Sequence, residues 1–518
     1  MDRCGDQVRH HLSSEATRRR PWFSWAPPFA VLFALLCVRN RFLFSARLYE
    51  QGDAAANSIL ITQAKHFTLL IGNYSREGFN HPGPAYLYVQ AAGEWLFQDT
   101  LHLVPTAWNA HMLAVFALNC ASVSLCTMVI YGWTRSVAGV AACCAVVVAF
   151  VLWQPWILNS DWMPNLYVMT YVVFVIAAGS VAVGAARDIW ILTLSGWLLI
   201  HGHACFLFIV PLIVVATAVI VMWRFGWRDC LRTFAQRRGI WLPVAVISAV
   251  FLLPILLNLA LHWPGDFAKY FSYGKSGRAG GHGPRQILHY LLWFWWPHSY
   301  AWVAVLVLVA AAVAVAWWLV PRAAPLRRFL IALLLINGVS TAAVIVYAAA
   351  GIDDLSEYYI TYFYWSAPLV TVLVIVLGLV SALPPRTGLA VAMAAAVASC
   401  TVLAVRPATR AITNDIDEAL PGAVATLGAR APGRTIVLHI QHNAWPQTAG
   451  FLVQAERTGV HACVDDSSYT FLFSRQFICT PAQVTKGVTY EFDTPAAPAG
   501  SRVLLSFHGV SVLASGLM

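Results

Sequence analysis

Apolar runs of membrane-spanning length, separated by short polar connections, fill the first 406 positions of this chain. A helix needs about 20 predominantly apolar residues to cross a bilayer. On that measure the pattern predicts about eleven spans, at 27–46, 107–131, 137–153, 165–186, 189–202, 204–223, 240–261, 300–320, 329–350, 361–383 and 388–406. Little room separates 189–202 from 204–223. His201-Gly202-His203 is therefore expected to be a tight turn, or the first helix to stop below the surface. Residues 47–105 form a large first loop, with surface-lying helices expected at about 54–71 and 84–98; Gly72 ends one and Pro84 starts the next. A second long loop, 262–299, is rich in Gly, Trp and cations and is read as mobile. After Arg406-Pro407 the character changes. Short β-type runs appear, including Thr435–Ile440 and Arg502–Phe507. The expected organisation is an N-terminal segment 1–26, a transmembrane domain 27–406 and a small exported α/β or α+β domain 407–518.

Composition sharpens this picture. The chain has 518 residues, of which 59% are hydrophobic and 11% charged, against about 25% charged in a soluble protein. The formal net charge is +10. Its arginines cluster at Arg18-Arg19-Arg20, from Arg224 to Arg238, and at Arg322, Arg327 and Arg328, each beside an apolar span. That is the distribution of cytoplasmic loops, not of a nucleic-acid-binding stripe. A cytoplasmic N-terminus puts every arginine-rich connection on the same side. The first apolar run is followed by Arg39 and Arg41, with no small-residue cleavage site, and reads as a retained signal anchor. Most of the eleven cysteines lie in apolar spans. Cys463 and Cys479 stand in the polar C-terminal segment, which this topology exports, and are expected to form a disulfide.

The candidate chemistry starts at Glu50 and Asp53, just past the first span. An acid at a membrane surface is costly without a ligand or partner. Asp53 reads as an N-cap for the following helix, as a general base, or as a ligand for a divalent cation such as Mg or Mn. A dense run then extends from Gly72 to Pro84. Within it Arg76 and His81 offer donors to a phosphate, Asn80 adds a polar contact, and Tyr74 supplies an aromatic face. Asp161, on a short exterior loop, is a second acid for the same cleft. His201 and His203 read as contacts to an anionic ligand or as satisfied interior groups. Lys275 and Arg278 place cations in the glycine-rich loop.

These residues together resemble the bacterial GT-C superfamily of polyprenyl-phosphate-dependent glycosyltransferases. The likeness covers roughly residues 25–300 and rests on three segments. The most specific is the first-loop acid followed by Gly72-Asn73-Tyr74-Ser75-Arg76-Glu77-Gly78-Phe79-Asn80-His81-Pro82-Gly83-Pro84-Ala85-Tyr86-Leu87-Tyr88. The others are Asp161-Trp162-Met163-Pro164-Asn165 and Ile200-His201-Gly202-His203. Phe79 stands where relatives commonly have Trp, and Ser58 where some have Glu. The resemblance implies a GT-C-like membrane protein of the bacterial inner membrane with its active site on the periplasmic face. It further implies an inverting transferase, with Asp53 as base and Glu50 as its neighbour. The donor would be a polyprenyl-phosphate sugar, arabinofuranose being one candidate. The acceptor would be a glycan, lipid or protein hydroxyl. A ligase or polymerase of a different fold, and a lipid-linked sugar flippase, are the alternatives.

Overall fold

The computed structural model describes residues 20–228, 238–275, 280–295, 300–406, 416–493, 503–507 and 509–514. The chain divides into two compact units, Met1–Arg39 with Val115–Pro407, and Asn40–Ala114 with Ala408–Met518. The first long loop therefore folds with the C-terminal segment. The sequence reading had assigned it to the transmembrane domain. Hydropathy reports solvent preference but not which polar segments pair with each other.

The first unit is mostly helical. Among the described residues, eight helices of the chain are long and apolar enough to cross a membrane. Ala26–Arg39, Val137–Trp153 and Ile189–Gly202 are shorter. At 1.5 Å per residue a 14-residue helix reaches only about 21 Å, short of the ~30 Å hydrocarbon core. The expected span at 27–46 is the clearest departure. Its helix stops at Arg39, and a 3-10 turn, Arg41–Phe44, begins after the polar Asn40. Met163–Ala182 forms the centre, buried at every position from Asn165 onward, as expected of a helix apolar all round. Arg20 and Asp188 form a buried charged pair in this unit, and Asp188 also accepts from Ser180 Oγ at 2.6 Å.

The second long loop is more ordered than its composition implied. It holds the helices Gly265–Lys275 and Pro284–Trp295. The latter buries Ile287, Tyr290, Leu291, Phe294 and Trp295, an i, i+3, i+4 stripe. Gly280 N–H and the His282 ring both bond the Ile352 carbonyl, at 3.0 and 2.9 Å.

The second unit carries a five-stranded sheet in the order β2-β1-β3-β5-β4. The strands are β1 Ile436–Ile440, β2 Ala462–Val464, β3 Val488–Asp493, β4 Val503–Phe507 and β5 Val510–Ala514. β2, β1 and β3 are parallel, and β4 and β5 add an antiparallel hairpin. Helix Trp445–Arg457 makes the crossover from β1 to β2. Cys463 on β2 is bonded to Cys479, with Cα atoms 5.0 Å apart. First-loop residues Ala55 and Ile59 share one core with Leu438, Phe451 and Phe492.

Candidate active site

The site is built where the first loop meets helix Trp445–Arg457. Gly450 is the point of contact: a Cβ there would lie 2.7 Å from the Glu50 carbonyl and 3.2 Å from Gln51 Cα. Only glycine lets the two backbones approach this closely. The contact fixes the start of helix Gly52–Lys65. Gln51 occupies its N-cap position and makes no side-chain capping bond. Asp53 is thus not the cap that its sequence position allowed. It lies in the first turn, where the helix dipole favours a negative charge.

Two carboxylates three positions apart differ completely. The Glu50 side chain is wholly buried. Its Oε1 accepts from Ser58 Oγ at 2.6 Å and from Arg457 Nη2 at 2.8 Å. Its Oε2 is buried with no hydrogen-bond partner. Burial by itself would raise the Glu50 carboxyl pKa. The charge and hydrogen bond of Arg457 outweigh it, helped by His111 and Ser58, and the pKa falls below its ordinary value. Asp53 is only half-buried, and its Oδ1 accepts a hydrogen bond from the Tyr74 hydroxyl.

Tyr74 belongs to a small hairpin. Tyr74 and Asn80 pair antiparallel, with Ser75 N–H to Phe79 O at 2.7 Å and Gly78 N–H to Ser75 O at 3.0 Å. Gly78 has φ +76°, the left-handed position that closes a three-residue hairpin loop. Arg76 sits at the exposed tip, 3.7 Å from Glu77. Asn80 Nδ2 donates to Gly72 O at 3.2 Å. His81 is buried, its main chain bonded to Gly72 and Asn73 and its ring edge-on to Phe79. The loop run therefore brings Asp53, Tyr74, Arg76, Asn80 and His81 into one local structure. The Tyr74 ring also meets Trp445 and Phe471 edge-on, each with centroids 6.2 Å away. All three rings keep part of their surface exposed.

A second charged cluster had no counterpart in the sequence reading. Glu94 Oε1 pairs with Lys65 at 2.6 Å and its Oε2 with His111 at 2.8 Å; Lys65 also reaches Asp99 at 2.7 Å. Burial would raise the Glu94 carboxyl, but the bonds from His111 and Lys65 carry it well below its ordinary value. Arg457 acts electrostatically on Glu94 and His111 on Glu50, so the two clusters behave as one network. The available signal was an acid, Glu94, inside an otherwise apolar run with a lysine and a histidine upstream and downstream.

The remaining candidates belong to the first unit. Asp161 is buried in the short connection before helix Met163–Ala182, and neighbouring Trp162 packs against Tyr359 and Tyr362. His201 Nε2 bonds the Phe251 carbonyl at 2.8 Å and its ring lies edge-on to Phe251, while its Nδ1 is buried with no hydrogen-bond partner. His203 accepts from Cys205 N–H at 3.2 Å and closes the turn between the two helices. Lys275 ends helix Gly265–Lys275; Arg278 lies outside the described residues. Among the described residues no group of three His, Cys, Asp or Glu side chains could hold a metal ion. No family model matches the chain, and neither a curated protein nor a solved structure matches it.

Proposed function

We propose that the protein is an inverting glycosyltransferase that moves a sugar from a polyprenyl phosphate to an acceptor hydroxyl on the non-cytoplasmic side of the membrane. One observation carries this reading: a half-buried carboxylate, Asp53, is oriented by Tyr74 of the same hairpin that presents Arg76. Asp53 takes the proton from the acceptor hydroxyl. The freed oxygen forms a bond to the anomeric carbon as the bond from that carbon to the phosphate oxygen breaks. The polyprenyl phosphate leaves with the electron pair, and a cation such as Arg76 offsets its charge. A single displacement inverts the anomeric centre.

The part-exposed rings of Tyr74, Trp445 and Phe471 give a sugar apolar faces to rest on beside that carboxylate. Glu50 has a different part. Wholly buried and held by Arg457, it positions the turn that carries Asp53 instead of touching substrate. The sugar, the acceptor class (glycan, lipid or protein) and a requirement for Mg or Mn are read from one assay. Purified protein is incubated with a panel of polyprenyl-phosphate sugars, with and without EDTA, and release of polyprenyl phosphate is followed. Release from at least one donor supports the reading. No release from any donor opposes it. Activity that survives Asp53→Asn but not Arg76→Ala would favour a ligase instead.

A further inference from the structure

The first unit contains a cavity of about 530 Å³, within the ~300–1,000 Å³ range of small-molecule sites. Its walls are apolar, and include Val309 and Val313 of helix Ala301–Ala314, Trp317, and Ile331 and Leu334 of helix Pro325–Ala350. Val309, Val313 and Trp317 are substantially exposed, so the cavity opens sideways, toward lipid if these helices cross a bilayer. Its polar lining is sparse: Asn337 Nδ2 donates to Ala367 O at 3.1 Å and to Thr371 Oγ1 at 3.2 Å, while Asn337 Oδ1 has no hydrogen-bond partner. An apolar occupant fits this largely hydrocarbon-lined interior.

One charged group stands at its edge. Ile331, Leu334, Gly338 and Thr341 line the cavity and follow a 3-4-3 spacing that keeps them on one helix face. Arg327 extends this stripe by one turn. It is 6% exposed, and its guanidinium lies 4.7 Å from the ring centroid of Trp317, a cavity wall. Among the described residues no carboxylate pairs with Arg327. An arginine this buried, with no carboxylate beside it, is favoured by an anion in a membrane setting. Like charges crowd the same end, since Arg328 and Arg224 act on one another. An anion beside Arg327 and a hydrocarbon chain within the apolar walls would match the two halves of this arrangement.

We propose that this cavity binds one anionic glycerophospholipid, with an acyl chain between helices Ala301–Ala314 and Pro325–Ala350 and the headgroup phosphate on Arg327. The arginine-rich connection at 321–328 falls on the cytoplasmic side by its charge, which selects bulk anionic lipid of that leaflet over the sugar donor. The inference is independent of the transferase reading.

Native mass spectrometry of the full chain in detergent tests it by titration with phosphatidylglycerol, phosphatidylcholine and undecaprenyl phosphate. Gly338 lines the cavity and a Cβ there meets nothing within 4 Å, so Gly338→Leu starts its added bulk in open space, and an unchanged hydrogen-exchange pattern of helix Pro325–Ala350 checks folding. Arg327→Ala and Gly338→Leu are each expected to weaken phosphatidylglycerol binding at least about ten-fold. Wild type is expected to prefer phosphatidylglycerol to phosphatidylcholine. Undiminished binding in Gly338→Leu, equal binding of the two phospholipids, or displacement of phosphatidylglycerol by a tighter undecaprenyl phosphate would each overturn the assignment.

Discussion

The two units handle polar groups in opposite ways. In the first, interior polar side chains end mainly on backbone carbonyls and hydroxyls, as His201 on Phe251 O, Asn337 on Ala367 O and Tyr171 on Ser340, with the buried Arg20–Asp188 pair as the charged exception. In the second, buried side chains carry full charges and pair with each other, as Glu50 with Arg457 and Glu94 with Lys65 and His111. A neutral hydrogen bond is the affordable way to bury polarity where water is absent, whereas an ion pair needs several partners at once. The proposed base and anion clamp, Asp53 and Arg76, both lie in the second unit. Its own two first-loop acids divide the work, Glu50 by structure and Asp53 by proposed reaction.

Acid should break this contrast most widely, because it reaches two carboxylates together. The Glu50 and Glu94 pKa values both fall below the ordinary 4.5 in the folded protein. Their stabilisation is therefore present above about pH 4.5 and lost as pH falls through the lowered folded values. Hydrogen exchange at falling pH should show the second unit opening while the first stays protected; simultaneous loss of both would remove the distinction. Arg457→Ala leaves the Glu50 charge buried and alone. The expected cost is about 3 kcal/mol, at the low end for a broken buried pair because Arg457 keeps a quarter of its side chain exposed. Denaturant-dependent exchange in helix Trp445–Arg457 measures it, and an unchanged value would mean that the pair holds nothing in place.

Reducing Cys463–Cys479, separated by 16 positions, should cost a similar ~3 kcal/mol by loop entropy, read as faster exchange in β2 and none in helix Met163–Ala182. Gly450→Ala should cost about 2 kcal/mol, since its Cβ meets backbone that cannot rotate away. It should also lower transfer activity through the displaced Asp53 turn; stability loss with full activity would separate the two. The smallest effect lies at His439, more than half exposed beside Asp465 at 2.9 Å. Its hydrogen bond to Asp465 raises its pKa above 6.5. That minor stabilisation is complete below 6.5 and fades as pH rises through the raised value; NMR titration of the imidazole in wild type and Asp465→Asn checks the direction.

Local signals in the sequence carried much of the fold. Apolar length marked the helices, Pro84 marked the start of helix Ala85–Gly93 in the first loop, and β-type runs at Thr435–Ile440 and Arg502–Phe507 correspond to β1 and β4. The Cys463–Cys479 pairing followed from compartment logic. Helix ends were less legible. The first-loop helix stops at Lys65, where 71 was expected, because Phe67 takes a left-handed φ of 58°. Long-range partners left no local trace. Glu50 and Arg457 are 407 positions apart, and nothing in the spacing of either announces the other. His201 illustrates the reverse: two histidines in a turn read equally as ligand contacts or interior polar groups, and the partner of the first, a backbone carbonyl on another helix, is invisible in the spacing.

The central claim is that Asp53 is the base of a sugar transfer from a polyprenyl phosphate. Single-turnover release of polyprenyl phosphate, from whichever donor the wild type accepts, compares it with Asp53→Asn, the exchange pattern of helix Gly52–Lys65 serving as the check on folding. The account predicts a loss of about 10²–10⁴-fold in the chemical step with that pattern unchanged. An Asp53→Asn protein that turns over at the wild-type rate would contradict it.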